Sequence, residues 1–158
     1  MAIDTHIKFD GVEGESTHKD HKGEIEILSW TWGISNANMA AGTGSGKGKA
    51  SPGDMHVTHL YDKASPVLSK HCASGKHFGT VVLTSRKSGE GQKDFLKITM
   101  KEVFITSVQP SGSSDGGITE SVSMSYADIE FGYKPQDAKG GLGGEVKFGW
   151  NMKTTEIR

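Results

Sequence analysis

From His77 onward the chain is a succession of four stretches, 77–86, 95–108, 118–133 and 145–156, in which apolar and polar residues tend to alternate with a period of two. Successive side chains of a strand point to opposite faces, so this period gives each stretch one dry face and one wet face. The interruptions at 88–91, 111–117 and 137–144 are short and rich in glycine, serine and aspartate. Short connections of this kind join antiparallel neighbours. In the last stretch Val146, Phe148, Trp150 and Met152 alternate with Lys147, Gly149, Asn151 and Lys153. In 118–133, Val122, Met124 and Tyr126 lie on one parity and Ile129, Phe131 and Tyr133 on the other, which predicts a bulge near Ala127 and Asp128.

The first half follows the same rule with more punctuation. Ile3, Thr5, Ile7 and Phe9 alternate with Asp4, His6, Lys8 and Asp10, a first strand with one wet face. Residues 11–35 open as a loop framed by two turns, Glu13-Gly14-Glu15-Ser16 and His21-Lys22-Gly23-Glu24, and continue as one long strand over 25–32. Leu28, Trp30, Trp32 and Ile34 share a core-facing parity there, with Ser29, Thr31 and Gly33 facing away. Ile25 and Ile27 have the opposite parity, which requires a bulge near Ile27 and Leu28 or a second buried face.

Residues 36–53 are glycine-rich and nearly devoid of large apolar side chains, so they read as a long loop. A further strand covers 55–61, with Met55, Val57, His59 and Tyr61 on one side. A single short helix is predicted over 65–74, with Ser65 as cap, Pro66 in the first turn and Gly75 as terminator. Leu68 and Cys72 share a face of it, and Lys70 and His71 sit near its C-terminal end. The fold expected is mainly β: an antiparallel barrel or sandwich of about seven strands with one short flanking α-helix, in one domain over 1–158.

At 158 residues the chain is long enough to bury roughly 70% of its unfolded surface without covalent staples. Its 18 basic and 19 acidic residues leave a formal charge of −1, without the basic excess that nucleic acid binding requires. Cys72 stands alone and forms no internal disulfide, in keeping with synthesis in a reducing cytoplasm. The first residues mix charges without an apolar run, so neither a secretory signal nor membrane insertion is expected.

Each catalytic or ligand motif lacks a required part. Gly42-Thr43-Gly44-Ser45-Gly46-Lys47-Gly48 resembles a phosphate loop, but Ala41 replaces its first glycine and Gly48 its metal-binding hydroxyl residue. Gly14-Glu15-Ser16-Thr17-His18 has histidine where a nucleophile elbow needs its closing glycine, and no helix follows. His18, Asp20 and His21 fall short of a zinc site's ligand set, and His56 and His59 face opposite sides of a strand, so turn-stabilising or solvated roles are expected. Trp30, Trp32 and Trp150 are read as core rather than as a sugar platform, and Cys72 as a small hydrophobe. No catalytic residue, cofactor or metal is expected.

Ile7-Lys8-Phe9-Asp10-Gly11-Val12-Glu13-Gly14-Glu15-Ser16, then His21, then residues 24–33 from Glu24 to Gly33, resemble the Hcp family, the haemolysin-coregulated tube proteins of bacterial type VI secretion. Asp62-Lys63-Ala64-Ser65-Pro66, Ser74-Gly75-Lys76-His77, Thr119-Glu120-Ser121-Val122, residues 126–133 and Gly149-Trp150-Asn151 continue the likeness in order. The resemblance implies a β-barrel-like protomer with no enzymatic activity, assembled with itself as hexameric rings that stack into a tube driven by a contractile sheath behind a spike-like tip. It also implies effector proteins as cargo, and cytoplasmic synthesis followed by release without a signal peptide. Extended members add a carboxy-terminal toxin domain; with its end at Arg158 this sequence is expected to be a plain tube subunit. Ser29 and Thr31 are the expected lumen and effector contacts, and Met39, Thr43, Ser45, Lys47, Lys49 and Ser51 the expected ring-stacking residues. A monomeric β-sandwich module for carbohydrate, and a hydrolase, are the competing readings of the residues alone.

Overall fold

The computed structural model describes residues 2–37, 50–89, 91–139 and 141–158. Its strands are β1 (Ile3–Phe9), β2 (Ile25–Ile27), β3 (Ser29–Thr31), β4 (Ile34–Asn36), β5 (Ala50–Pro52) and β6 (Met55–Leu60), then β7 (Phe78–Lys87), β8 (Asp94–Ser113), β9 (Gly117–Ser125), β10 (Asp128–Tyr133) and β11 (Val146–Asn151). The helix α1 (Ser65–Ser74) lies between β6 and β7. The ladders between strands are antiparallel, as the short connections predict.

The main sheet follows the order β2-β1-β7-β8-β9-β6-β3, with β10 and β11 branching from β8. β8 links two layers: residues 94–103 lie between β7 and β10, and residues 104–113 pair with β9. The corner falls at Glu102, held at φ 50, and at the register shift between Ile105 and Ser107. The two ends of the path, β2 and β3, are consecutive pieces of chain with only Leu28 between them. The result is a sandwich in which Ile7, Phe9, Leu83, Ile98 and Met100 of one layer meet Met55, Val57, Val122 and Met124 of the other in one core.

Eleven strands among the described residues replace the seven expected, for local reasons. The step at Ile27 and Leu28 is a change of layer. Ile25 and Ile27 fill the core from the first layer, the parity resets, and Trp30 enters it from the second. Leu28 therefore turns outward, 60% exposed, and Ile34 is also exposed, against the expectation that both join the core. The break at Ala127 divides β9 from β10 as the parity change predicts. Alternation puts His6 on the wet face of β1, yet it is buried, because the loop after β1 folds back over it. Tyr61 lies beyond the end of β6 and is exposed.

The expected loop over 36–53 begins and ends as a ribbon, with Ile34 opposite Pro52, Ser35 opposite Ser51 and Asn36 opposite Ala50. Met39, Thr43, Ser45, Lys47 and Lys49 lie outside the described residues. α1 ends at Gly75 with φ 70, the left-handed stop expected of that glycine. Ser65 is not its cap: Ala64 occupies that position, while Asp62 Oδ1 accepts the Ala64 N–H at 3.0 Å and Ser65 Oγ accepts the Asp62 N–H at 3.1 Å. The carboxy-terminal residues pair along β11, Gly149 and Arg158 exchanging backbone hydrogen bonds of 3.0 and 2.8 Å. The Arg158 guanidinium donates to both oxygens of Asp128 at 2.9 Å.

Candidate functional site

The outer face of the second layer is set by register. Ser29 stands opposite Thr58, Thr58 opposite Ser121, and Ser121 opposite Gln109. The neighbouring row is Thr31, His56, Ser123 and Ser107. Directly opposed residues share a face, so these eight side chains form two polar rows without an ammonium, guanidinium or carboxylate. Between the rows Trp30, Val57, Val122 and Val108 point the other way, toward the core. The His56 ring and Ser123 hydroxyl lie 2.7 Å apart. Such a face offers short hydroxyls, an amide and an imidazole, and therefore weak, adaptable hydrogen bonding without charge selection. Ser29 and Thr31 were legible from parity; the other six required the pairing of β3, β6, β9 and β8, which no local signal encodes.

The β4–β5 ribbon leaves this face through a neutral hydrogen-bonded root. Trp32 Nε1–H donates to the Tyr126 hydroxyl at 2.6 Å, which donates to the Gly53 carbonyl at 2.8 Å, and Gly53 N–H donates to the Gly33 carbonyl at 2.8 Å. Burial pushes the Tyr126 phenol above its ordinary value, against the Trp32 hydrogen bond. The indole of Trp32 packs against Phe131 at 4.8 Å, so it is committed internally and unavailable as a sugar platform.

The histidines also serve the fold. His6 stacks on His21 with ring centroids 4.8 Å apart and planes 10° from parallel, and His18 approaches it edge-on at 5.3 Å. His21 bonds Glu24 at 2.9 Å through Nδ1 and Asp94 at 3.1 Å through Nε2. Arg86 donates to Asp94 and to Asp20 at 2.8 Å each. Burial opposes the Asp94 charge, but the Arg86 and His21 hydrogen bonds win and hold its carboxyl below the usual range. Burial, then the neighbouring His21, pushes the His6 imidazole down. Face-to-face rings cannot aim their in-plane lone pairs at one ion, and among the described residues no group of three His, Cys, Asp or Glu is placed to hold a metal.

Ser16 is likewise a turn residue: its hydroxyl accepts the His18 N–H at 3.2 Å, and its backbone pairs with Gly23 and Glu24. His59 and Glu120, buried partners on β6 and β9, meet at 3.0 Å as a cross-tie within the core. Cys72 is half-buried on α1.

The chain is a two-layer antiparallel β-sandwich with one uncharged polar face, a flanking helix and a projecting ribbon, its titratable clusters tied into the fold. The family model described as "Type VI secretion system effector, Hcp" matches residues 6–133. The chain is 43% identical over 157 residues to Protein hcp1 of Pseudomonas aeruginosa, covering 97% of each. Among solved structures it resembles Hcp1 from Salmonella typhimurium, at 36% identity and a TM-score of 0.83 over the full length of both chains. A type six secretion system protein matches at 33% identity and a TM-score of 0.93, over 99% of this chain and 100% of the other. The chain belongs to the Hcp family. It is a non-enzymatic tube protein of the type VI secretion system, which associates with itself and is secreted through that system. No described helix is long and apolar enough to cross a membrane.

Proposed function

We propose that residues 1–158 act as one tube-subunit domain, that six copies close into a ring, and that stacked rings form the inner tube moved by the sheath behind the spike. The β3–β6–β9–β8 face lines the channel, with Ser29 and Thr31 among its effector contacts. The two uninterrupted polar rows support this reading: a channel wall must touch many cargoes without trapping them, and a fixed charge would bind opposite charges and repel like ones. Synthesis in the cytoplasm and export without a signal peptide belong to the same reading. Enlarging the wall at Thr31→Gln or Ser121→Gln is expected to leave rings of unchanged diameter in negative stain while lowering effector co-purification severalfold. Intact rings with unchanged effector retention reject the lumen assignment.

A further inference from the structure

Residues 11–24 cross the outer side of β1 as a strap that is bonded to itself. Gly14 N–H donates to the Gly23 carbonyl at 2.7 Å, Gly23 N–H to the Ser16 carbonyl at 2.8 Å, and Ser16 N–H to the Glu24 carbonyl at 3.0 Å. Near its two ends stand Gly11 at φ 79 and Gly23 at φ 78, left-handed positions that glycine adopts without strain. Polar side chains fasten the strap to the body at two places: Glu13 and Glu15 reach Lys63, and Asp20 and His21 reach Arg86 and Asp94.

Under the strap lies His6. It is 1% exposed, and neither of its ring nitrogens has a hydrogen-bond partner among the described residues. His21 covers one face of the ring at 4.8 Å and His18 meets it edge-on at 5.3 Å. Both nitrogens of His21 are engaged, Nδ1 with Glu24 and Nε2 with Asp94 and Arg86. On the body, Asp4 and Lys8 flank His6 along β1, Glu26 stands opposite it on β2, and Arg86 and Asp94 come from β7 and β8. From the strap come His18, Asp20, His21 and Glu24. A neutral His6 leaves one N–H unpaired, and a protonated one would bury a charge and two donors without an acceptor. Burial, then His21 and His18, keep the imidazole below its ordinary value, outweighing Glu24 and Asp4, which favour the charge. A lifted strap gives the ring water as its partner and parts it from His21 and His18. The open form therefore takes up the proton at a higher pH than the closed form, and acid favours opening.

We propose that residues 11–24 are an acid-released strap: a proton taken up at the His6 stack lifts them from β1 while the sandwich beneath stays folded. The turn at Glu15 and Ser16 is also one wall of an open groove of about 560 Å³, whose lining includes Ile3, Leu28, Leu60 and Tyr61. Lifting the strap removes that wall, so a subunit carried from a neutral into an acid medium presents a wider apolar surface there.

The test is amide hydrogen exchange of the full chain, read by mass spectrometry at pH 7.5 and pH 5.5 with exchange times scaled to the intrinsic amide rates. Protection of peptides within 11–24 is expected to fall severalfold at the lower pH while β7 and β8 stay protected. Uptake of one proton limits the change to about tenfold per pH unit. His6→Phe keeps an aromatic ring in the stack without the proton and is expected to hold the strap closed at both pH values. In the parent chain, whether or not the variant folds, the titration of His6 followed through exchange of its Cε1 hydrogen is expected to share its midpoint with the opening. Equal strap protection at both pH values, a pH dependence that survives His6→Phe, or a His6 midpoint apart from that of the opening overturns the proposal. So does protection lost from β7 and β8 together with the strap, which is global unfolding.

Discussion

Two polar ties fasten distant parts of this molecule, and they are built from opposite chemistry. At the ribbon root Trp32, Tyr126 and Gly53 form a neutral relay of 2.6 and 2.8 Å. Over β1 and β7 the loop carrying Asp20, His21 and Glu24 is fastened through an ionic centre, Arg86 bridging Asp20 and Asp94, with His21 hydrogen-bonded to Glu24 and Asp94 beside it. Neutral bonds contribute modestly and hold over a wide pH range. A buried guanidinium hydrogen-bonded to carboxylates makes a stronger tie that fails harder when the cation is lost, because charge-assisted hydrogen bonds are roughly twice as strong as neutral ones. The charged tie holds a loop down, whereas the neutral one sets where a projecting element leaves the body.

The largest expected effect is Arg86→Met, which takes from the partly buried Asp94 the cation that it is hydrogen-bonded to and should cost about 2–3 kcal/mol in urea unfolding. Gly14→Ala strikes the same loop sterically. A Cβ there would stand 2.6 Å from the Glu24 carbonyl oxygen, and overpacking of that kind costs about 1–3 kcal/mol. Tyr126→Phe removes both hydrogen bonds of the neutral tie while keeping the ring, for a loss of about 1–2 kcal/mol, equal at pH 5 and pH 8. An equal loss for Arg86→Met at pH 3 and pH 8 would erase the distinction between the ties.

The smallest effect is in pH dependence. Burial and the neighbouring His21 hold the folded His6 below the ordinary imidazole value of about 6.5, so the unfolded chain takes up the proton first. Stability from this residue is therefore full above about pH 6.5, falls as the pH drops through that value, and stops falling below the folded pKa. The Asp94 carboxylate, lowered from 3.8, adds a second loss only as the pH falls below 3.8 and through its folded value. His6→Leu is expected to flatten the denaturation midpoint between pH 7 and pH 5 relative to the parent chain. An unchanged slope assigns that dependence to other groups.

Parity carried much of the architecture because it is a local signal with a global meaning. The step at Ile27 and Leu28 and the break at Ala127 were both legible as parity changes. Where each step led was not: parity cannot say that the chain changes layer, and so Leu28 was placed inside when it faces out. His6 departs from its parity for a related reason, since alternation shows the face of a strand but not the loop that later covers it. The candidate surfaces divide the same way. Ser29 and Thr31 were named from one short stretch, whereas His56, Ser123 and Gln109 join them only through pairing with strands far away in sequence. The groove was invisible because Ile3, Leu28, Leu60 and Tyr61 come from separate segments that meet only in the folded sandwich.

The pairing of the carboxy-terminal residues with β11 has a mechanical consequence. Arg158 is joined to Gly149 through the backbone and to Asp128 of β10 through two guanidinium contacts of 2.9 Å. Gly149 leaves the space that this guanidinium occupies, since a Cβ there would lie 2.8 Å from it. A pull applied at Arg158 therefore loads the β10–β11 hairpin before it stretches any slack chain, and β10 passes that load through its ladder with residues 96–101 to β8. Arg158 is thereby a point of attachment to the strand that joins the two layers.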